Sequence, residues 1–396
     1  MLKAKVGYAT NENAKEAGIE AARMALEKTE QAKVAIVYTS SFYRQEEVLE
    51  GIKEVAPTLP LLGSICKEAI IVPEGVVTSS HGFVGMLVLD DPDLEVGVAI
   101  QENMEDKREA GRKLALKALE NAGKDYAPSY YYMTSSTRED ELYMKGIQDI
   151  LGNVPVFGGA ICPTEQMESS IFDKETCIIE GVGIVLFYTD KLMETFFTGA
   201  YKKSDNMGVI TKMDGDFRIV EINHEPALQK YATWIGKDVE ELKGSALGEI
   251  SNIKPFGIKE TLGEVIVLHQ PLVGNEDNSI TVFNKVCTST AIIQMKASQD
   301  TFVQSVGKAV EKLNKLVERP GAYLFIHNVR RENVIKKQLD EMYLLLKSVC
   351  KDIPFLVAFT DSEYGYVDHS RNLCGDLMMS FTCFAQETSA IMELEK

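Results

Sequence analysis

An internal repeat constrains the fold of this chain more than any other feature of its sequence. Residues 39–63 align without a gap with residues 134–158, and eight of the 25 aligned positions are identical. The identical positions are Thr39, Ser40, Ser41, Glu46, Gly51, Ile52, Pro60 and Gly63, each matched 95 residues later. A repeat of this kind predicts two structural units with the same order of secondary structure elements.

The hydrophobic pattern gives the plan of each unit. A strand precedes each Thr-Ser-Ser, a helix follows, and then comes a short apolar strand that begins with proline, Pro60 in the first copy and Pro155 in the second. A fainter third copy begins with the apolar run 322–326 and reaches its own proline-led strand at 354–357. We therefore predict a mixed α/β fold of duplicated β-α-β-α-β-meander modules, with mixed sheets covered by helices and a related C-terminal module.

The change of pattern near residue 190 predicts the domain boundaries. Residues 1–190 form an N-terminal domain with repeats at about 1–92 and 93–190, and residues 191–396 form a C-terminal domain. Within the latter, 191–291 is a β-rich segment with a hairpin turn at Asp214-Gly215, and 292–396 is the third module. An Asp-Gly pair between two apolar runs is typical of a tight β-hairpin.

Composition argues against several classes of partner. The 59 acidic and 42 basic side chains give a net charge of −17, which repels nucleic acid and anionic lipid. No apolar run approaches the roughly 20 residues that a spanning helix needs, so we expect no membrane insertion. The first residues lack the apolar core of a signal peptide, which indicates a cytoplasmic protein. The five histidines and seven cysteines are scattered, so we expect neither a metal site nor a cofactor.

Two polar loops are the first candidates for a binding site. Thr39-Ser40-Ser41, the first polar loop, and Thr134-Ser135-Ser136, the second polar loop, directly follow buried strands. Open α/β sheets bind ligands at this end of their strands. The hydroxyls and the N-terminus of the next helix suit an anionic group, to which Arg138 can add a charge-assisted bond. The alternative is that each loop only caps the helix that follows it.

The loops after the proline-led strands are the second candidates. Gly63-Ser64 with Glu68 lies in the first copy, and Gly158-Gly159 lies in the second. Glycine lets a ligand approach the backbone closely, although a tight turn alone would need it as well. Cys66, Cys162, His327 and His369 leave open a nucleophilic site, but no catalytic motif surrounds them, and we predict no catalytic residue.

The order of these motifs resembles one known family. The Ser-Ser pair, the Pro-x-x-Gly-x-Ser strand with its trailing glutamate and the second round that ends at 155–160 are similar to the FIST N-terminal domain. Residues 209–212, 221–231 and 323–383 are similar to the FIST C-terminal domain. The resemblance implies a sensory module of bacterial and archaeal signal transduction that binds small molecules such as amino acids. It also implies a separate downstream signalling protein.

Three positions depart from the pattern of the family. Lys67 stands where the family has glycine before the glutamate. The segment 327–330 reads His-Asn-Val-Arg in place of Cys-x-x-Arg, so only Arg330 carries over. The Gly-Glu pair expected after the last proline-led strand reads Asp-Ser-Glu, so only Glu363 matches.

We therefore expect a cytoplasmic sensor that binds a small polar metabolite, with an amino acid as a candidate, between the modules. The expected ligand-binding residues are Thr39, Ser40, Ser41, Gly63, Ser64, Glu68, Thr134, Ser135, Ser136, Arg138, Gly158, Gly159, Arg330 and Glu363. Two alternatives stay open, a protein-interaction scaffold and a hydrolase or transferase with a serine or cysteine nucleophile.

Overall fold

Three mixed β-sheets form the frame of the protein, and each is built mainly by one structural unit. The computed structural model describes residues 1–136, 139–161, 170–259, 265–367 and 371–388. Within them, the predicted mixed fold is confirmed, because two units repeat the same element order and a third unit follows it at the C-terminal end. None of the helices in these ranges is both long and apolar enough to cross a membrane.

The first two units share the order strand, helix, strand, helix, strand, hairpin and return strand. The first unit consists of β1 (Lys3–Ala9), α1 (Ala14–Leu26), β2 (Ala32–Ser40), α2 (Gln45–Val55), β3 (Leu61–Cys66), β4 (Ile70–Val72), β5 (Gly75–Val77) and β6 (Val84–Asp90). The second unit consists of β7 (Glu95–Glu102), α3 (Lys107–Ala122), β8 (Tyr130–Ser135), α4 (Asp140–Leu151), β9 (Val156–Ala160), β10 (Ile171–Asp173), β11 (Cys177–Ile178) and β12 (Gly181–Tyr188).

The third unit is split by an insert. It opens with β13 (Met193–Thr198), after which the insert contributes β14 (Lys202–Asp214), β15 (Arg218–Ile222), β16 (Glu225–Pro226), α5 (Ala227–Ile235), a 3-10 turn (Glu240–Leu242), α6 (Ala246–Ser251), β17 (Phe256–Lys259), β18 (Ile266–His269), β19 (Pro271–Gly274), β20 (Ile280–Val282) and β21 (Ala291–Lys296). The unit resumes with α7 (Gln299–Leu316), β22 (Pro320–Asn328), α8 (Val329–Ile335), a 3-10 turn (Lys336–Gln338), α9 (Leu339–Cys350), β23 (Phe355–Thr360), β24 (Ser362–Val367), β25 (Arg371–Gly375) and β26 (Met379–Ala385).

The insert forms a sheet and a core of its own. Its strands follow the order β18-β17-β21-β14-β15-β20-β19, with β16 beside β15. Ile210, Tyr231 and Phe256 are among the side chains buried in its core. The predicted hairpin is present, since Asp214 pairs with Arg218 across the turn and Gly215 has a φ of 68°. The left-handed backbone at this glycine is the conformation that favoured Asp-Gly in the sequence.

Each unit gives its hairpin to the sheet of another unit. The hairpin β4-β5 of the first unit extends the third sheet beside β23, and β10-β11 of the second unit extends the first sheet beside β3. The hairpin β24-β25 of the third unit extends the second sheet beside β9. Consequently the chain passes from one unit to its neighbour between β3 and β4 and between β23 and β24, and Lys67 and Asp361 of these two loops lie at a junction of two units.

The inner faces of the three sheets share one apolar core. It includes Tyr38, Tyr132 and Leu324 from the three units, and the hydroxyls of the two tyrosines are 2.7 Å apart. Helices cover the outer faces of the sheets, each over a core of its own. The sheets are thus buried on both sides, which is typical of α/β proteins.

The repeated glycines allow the helices on the outer faces to pack closely. A Cβ atom on Gly51 of α2 would lie 2.0 Å from the carbonyl oxygen of Lys15, and one on Gly146 of α4 would lie 1.9 Å from that of Arg108. A side chain at either position would collide with the backbone of the neighbouring helix. Close helix packing therefore explains why both copies carry a glycine here.

Candidate functional site

The two polar loops occupy equivalent places in the fold with a shift of one residue. The backbone N–H of Ser40 donates to the carbonyl of Phe83 at 2.9 Å, and that of Ser136 donates to Gly181 at 3.0 Å. Ser40 therefore corresponds in space to Ser136, whereas the ungapped alignment matches it with Ser135. The physical reason is that the second unit has one residue fewer between this serine and the following helix.

Neither polar loop caps the helix that follows it. The N-cap residue of α2 is Arg44, and that of α4 is Glu139. The hydroxyl of Thr39 instead bonds the side-chain carbonyl of Gln45, and Ser40 Oγ accepts a hydrogen bond from the backbone of Phe42 at 3.1 Å. The capping alternative is therefore wrong for both loops.

The first polar loop opens onto a cavity of about 540 Å³, which we call the loop cleft. The first unit contributes polar side chains from Ser40, Ser41, Lys67 and Glu68, and the third unit contributes Glu332 and Lys336. The cleft thus lies at a junction of two units, where the crossing loop before β4 meets α8. Ser41 is exposed at its edge, and the neighbouring Phe42 is 71% exposed.

Charged side chains in the loop cleft form ion pairs between units. Lys67 Nζ lies 2.7 Å from Asp361 Oδ2, and Lys336 Nζ lies 2.8 Å from Glu68 Oε2. Lys67 is the residue that replaces the glycine of the family pattern, and its partner Asp361 lies where that pattern also changes. The two departures are therefore coupled, because each supplies one member of an ion pair.

Glu332 is the unusual carboxylate of the loop cleft. Its side chain is fully buried, and both carboxylate oxygens lack a hydrogen-bond partner among the described residues. Burial raises the pKa of this carboxyl group to about 7, and the nearby charge of Glu68 adds to the effect, while Lys336 opposes it. A buried carboxylate without a partner is unfavourable, because burial removes its hydrating water and no hydrogen bond or ion pair replaces it.

The side chains of the second polar loop are bound within the protein. Ser135 Oγ lies 2.8 Å from the hydroxyl of Tyr364, which in turn donates to Asp140 Oδ2 at 2.9 Å. Ser136 Oγ accepts from the backbone N–H of Gly181 at 2.8 Å. Burial raises the pKa of Asp140 to about 7, although the Tyr364 bond lowers it. Thr134 is buried as well. The hydrogen bonds of this loop therefore connect β8 to α4 and to the hairpin β24-β25.

The glycines of the proline-led strands lie in close contact with neighbouring segments of the chain. A Cβ atom on Gly158, whose φ is 133°, would lie 2.0 Å from the carbonyl oxygen of Met133. A Cβ atom on Gly159 would lie 2.7 Å from Thr360 Oγ1. In the first unit, a Cβ atom on Gly63 would lie 2.0 Å from the ring of Phe172 in the hairpin that joins this sheet. Close packing therefore accounts for all three positions, and the tight turn considered from the sequence is not present there, because the three glycines lie within β3 and β9.

Arg330 and Glu363 belong to a buried network in the third unit, which meets the ion pairs of the loop cleft at Asp361, 3.6 Å from the Arg330 guanidinium group. Glu363 is fully buried and accepts from Asn328 Nδ2 at 3.0 Å and from the backbone of Met378 at 2.9 Å. Arg330 Nη1 lies 3.0 Å from Asp376 Oδ1, and its guanidinium group lies 4.2 Å from the centre of the Phe283 ring in the insert. These residues join the third unit to the insert and are not part of the lining of the loop cleft.

Two of the possible nucleophiles and bases, Cys66 and His327, are poorly suited to catalysis. Burial raises the pKa of the Cys66 thiol well above its ordinary value, so the reactive thiolate is scarce at neutral pH. Burial, together with the charge of Arg331, lowers the pKa of His327 well below its ordinary value. Within the described ranges, no group of three or more His, Cys, Asp or Glu side chains is arranged to hold a metal ion.

Several predicted residues fall outside the described part of the chain. Arg138, Cys162 and His369 are among them. Of the other predicted site residues, the structure brings Ser40, Ser41 and Glu68 together in the loop cleft, with Thr39 directly behind them. Sequence reasoning missed Glu332 and Lys336, which become neighbours of Glu68 only through the exchange of hairpins. A signal for them is present in the sequence. Helix α8 begins directly after β22, at the position where the polar loops follow β2 and β8 in the first two units.

Comparison with known proteins agrees with the order of motifs. The model of the FIST N domain matches residues 33–225, and the model of the FIST C domain matches residues 227–366. No curated protein matches the sequence.

Two solved structures align over almost the whole chain at low similarity. Cyanuric acid hydrolase from A. caulinodans is 8% identical, with a TM-score of 0.38, over 98% of this chain and 100% of that chain. Phosphoribosylformylglycinamidine synthase II from Thermotoga maritima is 10% identical, with a TM-score of 0.23, over 97% of this chain and 72% of that chain. TM-scores of this size do not establish a shared fold. The two FIST matches, in contrast, span most of the sequence, and the chain therefore belongs to the FIST family.

Proposed function

We propose that this protein is a sensory module that binds a small polar metabolite in the loop cleft. FIST domains are associated with sensing in signal transduction, which supports a binding role. The observation that carries the proposal is the cleft itself, about 540 Å³ in volume and lined by hydroxyl, carboxylate and ammonium groups from two units. A cavity of this size with a few convergent polar groups is typical of sites for small ligands.

The chemistry of the cleft suits a ligand that carries opposite charges, and an amino acid is the class that we favour. Ser40 and Ser41 offer hydroxyl groups beside the ammonium group of Lys67, which together can receive a carboxylate. Glu68 and Glu332 also line the cleft and can receive a positive group of the same ligand. We propose that the second polar loop, Arg330 and Glu363 support the units that form the cleft and do not touch the ligand.

The output of the sensor follows from the position of the site. A ligand in the cleft contacts the first and third units together, so binding stabilises one arrangement of these units over others. We propose that a separate signalling protein in the cytoplasm reads this arrangement.

The proposal is tested by measuring binding to the purified chain. A thermal-shift screen of amino acids, organic acids and nucleotides comes first, since a ligand at about 100 times its Kd adds about 2.7 kcal/mol to the folded state. The affinity of each compound that raises Tm is then measured by calorimetry. Ser41→Ala is expected to weaken binding of that compound at least threefold, because it removes a hydroxyl from the edge of the cleft.

The matched control is Ser348→Ala, since Ser348 is exposed on α9 and lies outside the lining of the cleft. Equal affinity of the Ser41 and Ser348 variants would place the ligand elsewhere. A screen in which every compound leaves Tm unchanged would overturn the sensor proposal.

A further inference from the structure

We propose that the ligand carries a cationic nitrogen, such as a primary ammonium group, and that Glu332 binds this group in the loop cleft. This inference rests on the proposed function and names both the chemistry of the ligand and the residue that selects it.

The first observation is the environment of Glu332. It lies on α8 and lines the cleft, and its two carboxylate oxygens are buried without a hydrogen-bond partner in the described part of the chain. Buried carboxylates in proteins are ordinarily paired with a cation or with several donors. The two oxygens of this carboxylate therefore have no donor among the described residues, and a ligand in the cleft can supply one.

The second observation is the distribution of charge around Glu332. The crossing loop of the first unit presents Lys67 and Glu68, the turn after α8 presents Lys336, and the turn after β23 presents Asp361. Lys67 pairs with Asp361 and Lys336 pairs with Glu68, so each ammonium group of this cluster is engaged by another carboxylate. Glu332 is then the carboxylate of this cluster that has no ion-pair partner among the described residues, and a cationic ligand can form that ion pair.

The neighbouring Arg331 does not supply the missing charge. Its guanidinium group lies 4.3 Å from the centre of the Phe302 ring and donates to the carbonyl of Leu377 at 3.3 Å, in the core between α7 and the third sheet. Among the described residues, Lys67 and Lys336 are thus paired with other carboxylates, and Arg331 is held in the core. An anionic group placed beside Glu332 would be repelled, whereas an ammonium group can donate to both oxygens in charge-assisted bonds.

Binding is expected to release a proton at mildly acidic pH. The carboxyl group of Glu332 is largely protonated below its pKa of about 7. When the ammonium group of a ligand binds, this carboxylic acid becomes a carboxylate paired with the ammonium, and its one proton passes to solvent. The affinity for an ammonium ligand should therefore fall about tenfold for each pH unit below 7 and level off above it.

The test uses pairs of probes that differ in a single group. Each 2-amino acid is compared with the 2-hydroxy acid of the same side chain, as L-alanine is with L-lactate, by calorimetry on the full chain at pH 8. In the wild-type protein the amino acid of a binding pair is expected to bind at least tenfold more tightly. In Glu332→Gln this preference should disappear, with less than a threefold change in the affinity for the hydroxy acid. If the glutamine variant does not fold, Glu332→Asp serves in its place, because it keeps the charge but withdraws it from the ligand.

The matched control is Glu341→Gln, an exposed glutamate of α9 that should leave the preference unchanged. Equal binding of the two members of each pair, or a preference that survives in Glu332→Gln, would overturn the inference. In that case binding that is still weakened by Ser41→Ala would leave the proposed function standing. Failure of every probe and every compound of the wider screen to bind would overturn both.

Proton release provides a readout that a purely structural role of Glu332 would not produce. Calorimetry in two buffers with different ionisation enthalpies measures it directly. About 0.9 proton per bound ligand is expected at pH 6 and less than about 0.1 at pH 8.5, given a pKa of about 7. Release that is absent at pH 6, or the same in Glu332→Gln, would contradict the assignment.

Discussion

Replacing Glu332 with glutamine is expected to stabilise the ligand-free protein at pH 8. Glutamine has nearly the same shape as glutamate but cannot ionise, so it mimics the protonated carboxylic acid. The wild-type protein must instead keep a buried carboxylate that lacks a hydrogen-bond partner among the described residues. The substitution therefore removes an unfavourable charge from the folded state.

The magnitude follows from the pKa of the group. Burial raises the pKa of Glu332 from 4.5 to about 7. Each pKa unit corresponds to about 1.4 kcal/mol, so the charge destabilises the folded state by at most about 3.5 kcal/mol above pH 7. The buried amide of glutamine also lacks hydrogen-bond partners, which offsets part of this gain, and we expect a gain of about 1 to 2 kcal/mol in Glu332→Gln.

The pH dependence distinguishes this charge effect from a change in packing. Because the folded state binds the proton of Glu332 more tightly than the unfolded state does, this group lowers the free energy of unfolding as pH rises from 4.5 to 7. The advantage of Glu332→Gln should therefore be small at pH 5 and largest at pH 8. Any cost of burying the amide is the same at both pH values and cancels from the difference.

Urea unfolding followed by far-UV circular dichroism measures the effect. Fluorescence is less suitable, since the single tryptophan, Trp234, lies in the insert and not in the unit that carries Glu332. Glu341→Gln is the matched control and should shift the midpoint little at either pH, because Glu341 is exposed. A midpoint of Glu332→Gln that differs from wild type by the same amount at pH 5 and pH 8 would refute the reasoning.

Two further substitutions test the contacts between elements. Gly146→Ala is expected to destabilise the protein by about 2 kcal/mol or more in urea unfolding, because its Cβ would lie 1.9 Å from the carbonyl oxygen of Arg108. Tyr364→Phe removes the hydroxyl between Ser135 and Asp140 and is expected to lower the free energy of unfolding by about 1 to 3 kcal/mol. The loss should be larger at pH 8 than at pH 5, because the Tyr364 bond favours the ionised form of Asp140, whose pKa is about 7.

Controls of the same chemical type accompany both substitutions. Lys145→Ala changes the exposed residue beside Gly146 and should have little effect on the urea midpoint. Tyr126→Phe removes the hydroxyl of an exposed tyrosine and should be nearly neutral. A Gly146 variant as stable as its control, or a Tyr364 variant without pH dependence, would contradict the packing and hydrogen bonds described above.

Local signals in the sequence predicted much of the fold. Asn13 lies directly before α1, and its side chain accepts from the backbone N–H of Glu16, which is the ordinary role of an asparagine that precedes a helical pattern. The Asp214-Gly215 turn and the repeated order of strands and helices could also be predicted from the sequence, because they depend on neighbours within a few residues.

The exchange of hairpins could not be predicted from the sequence. Strand β4 has three residues, and its partner β23 lies almost 290 residues further along the chain. Pairing of such short strands depends on how the units assemble, and three residues are too few to show a periodic hydrophobic pattern in the sequence. The one-residue shift between the polar loops is also invisible in an ungapped alignment, because only the bonds of Ser40 and Ser136 define it.

The candidate site was predictable in part. The first polar loop and Glu68 were found because they follow strand ends in a repeated pattern. Lys336 and Glu332 were missed, since Lys336 is 268 residues from its partner Glu68 and only the crossing loops bring the two units together. The unpartnered state of Glu332 is a property of packing, and a glutamate in a helical segment otherwise indicates an exposed surface.

A crystal structure of the full chain with the compound that raises Tm most in the thermal-shift screen would show directly where the ligand binds. We expect electron density for that compound in the loop cleft, beside Ser40 and Ser41, with a cationic nitrogen within about 3 Å of the Glu332 carboxylate. Density for the compound at another place on the protein, with the loop cleft holding only solvent, would contradict the account.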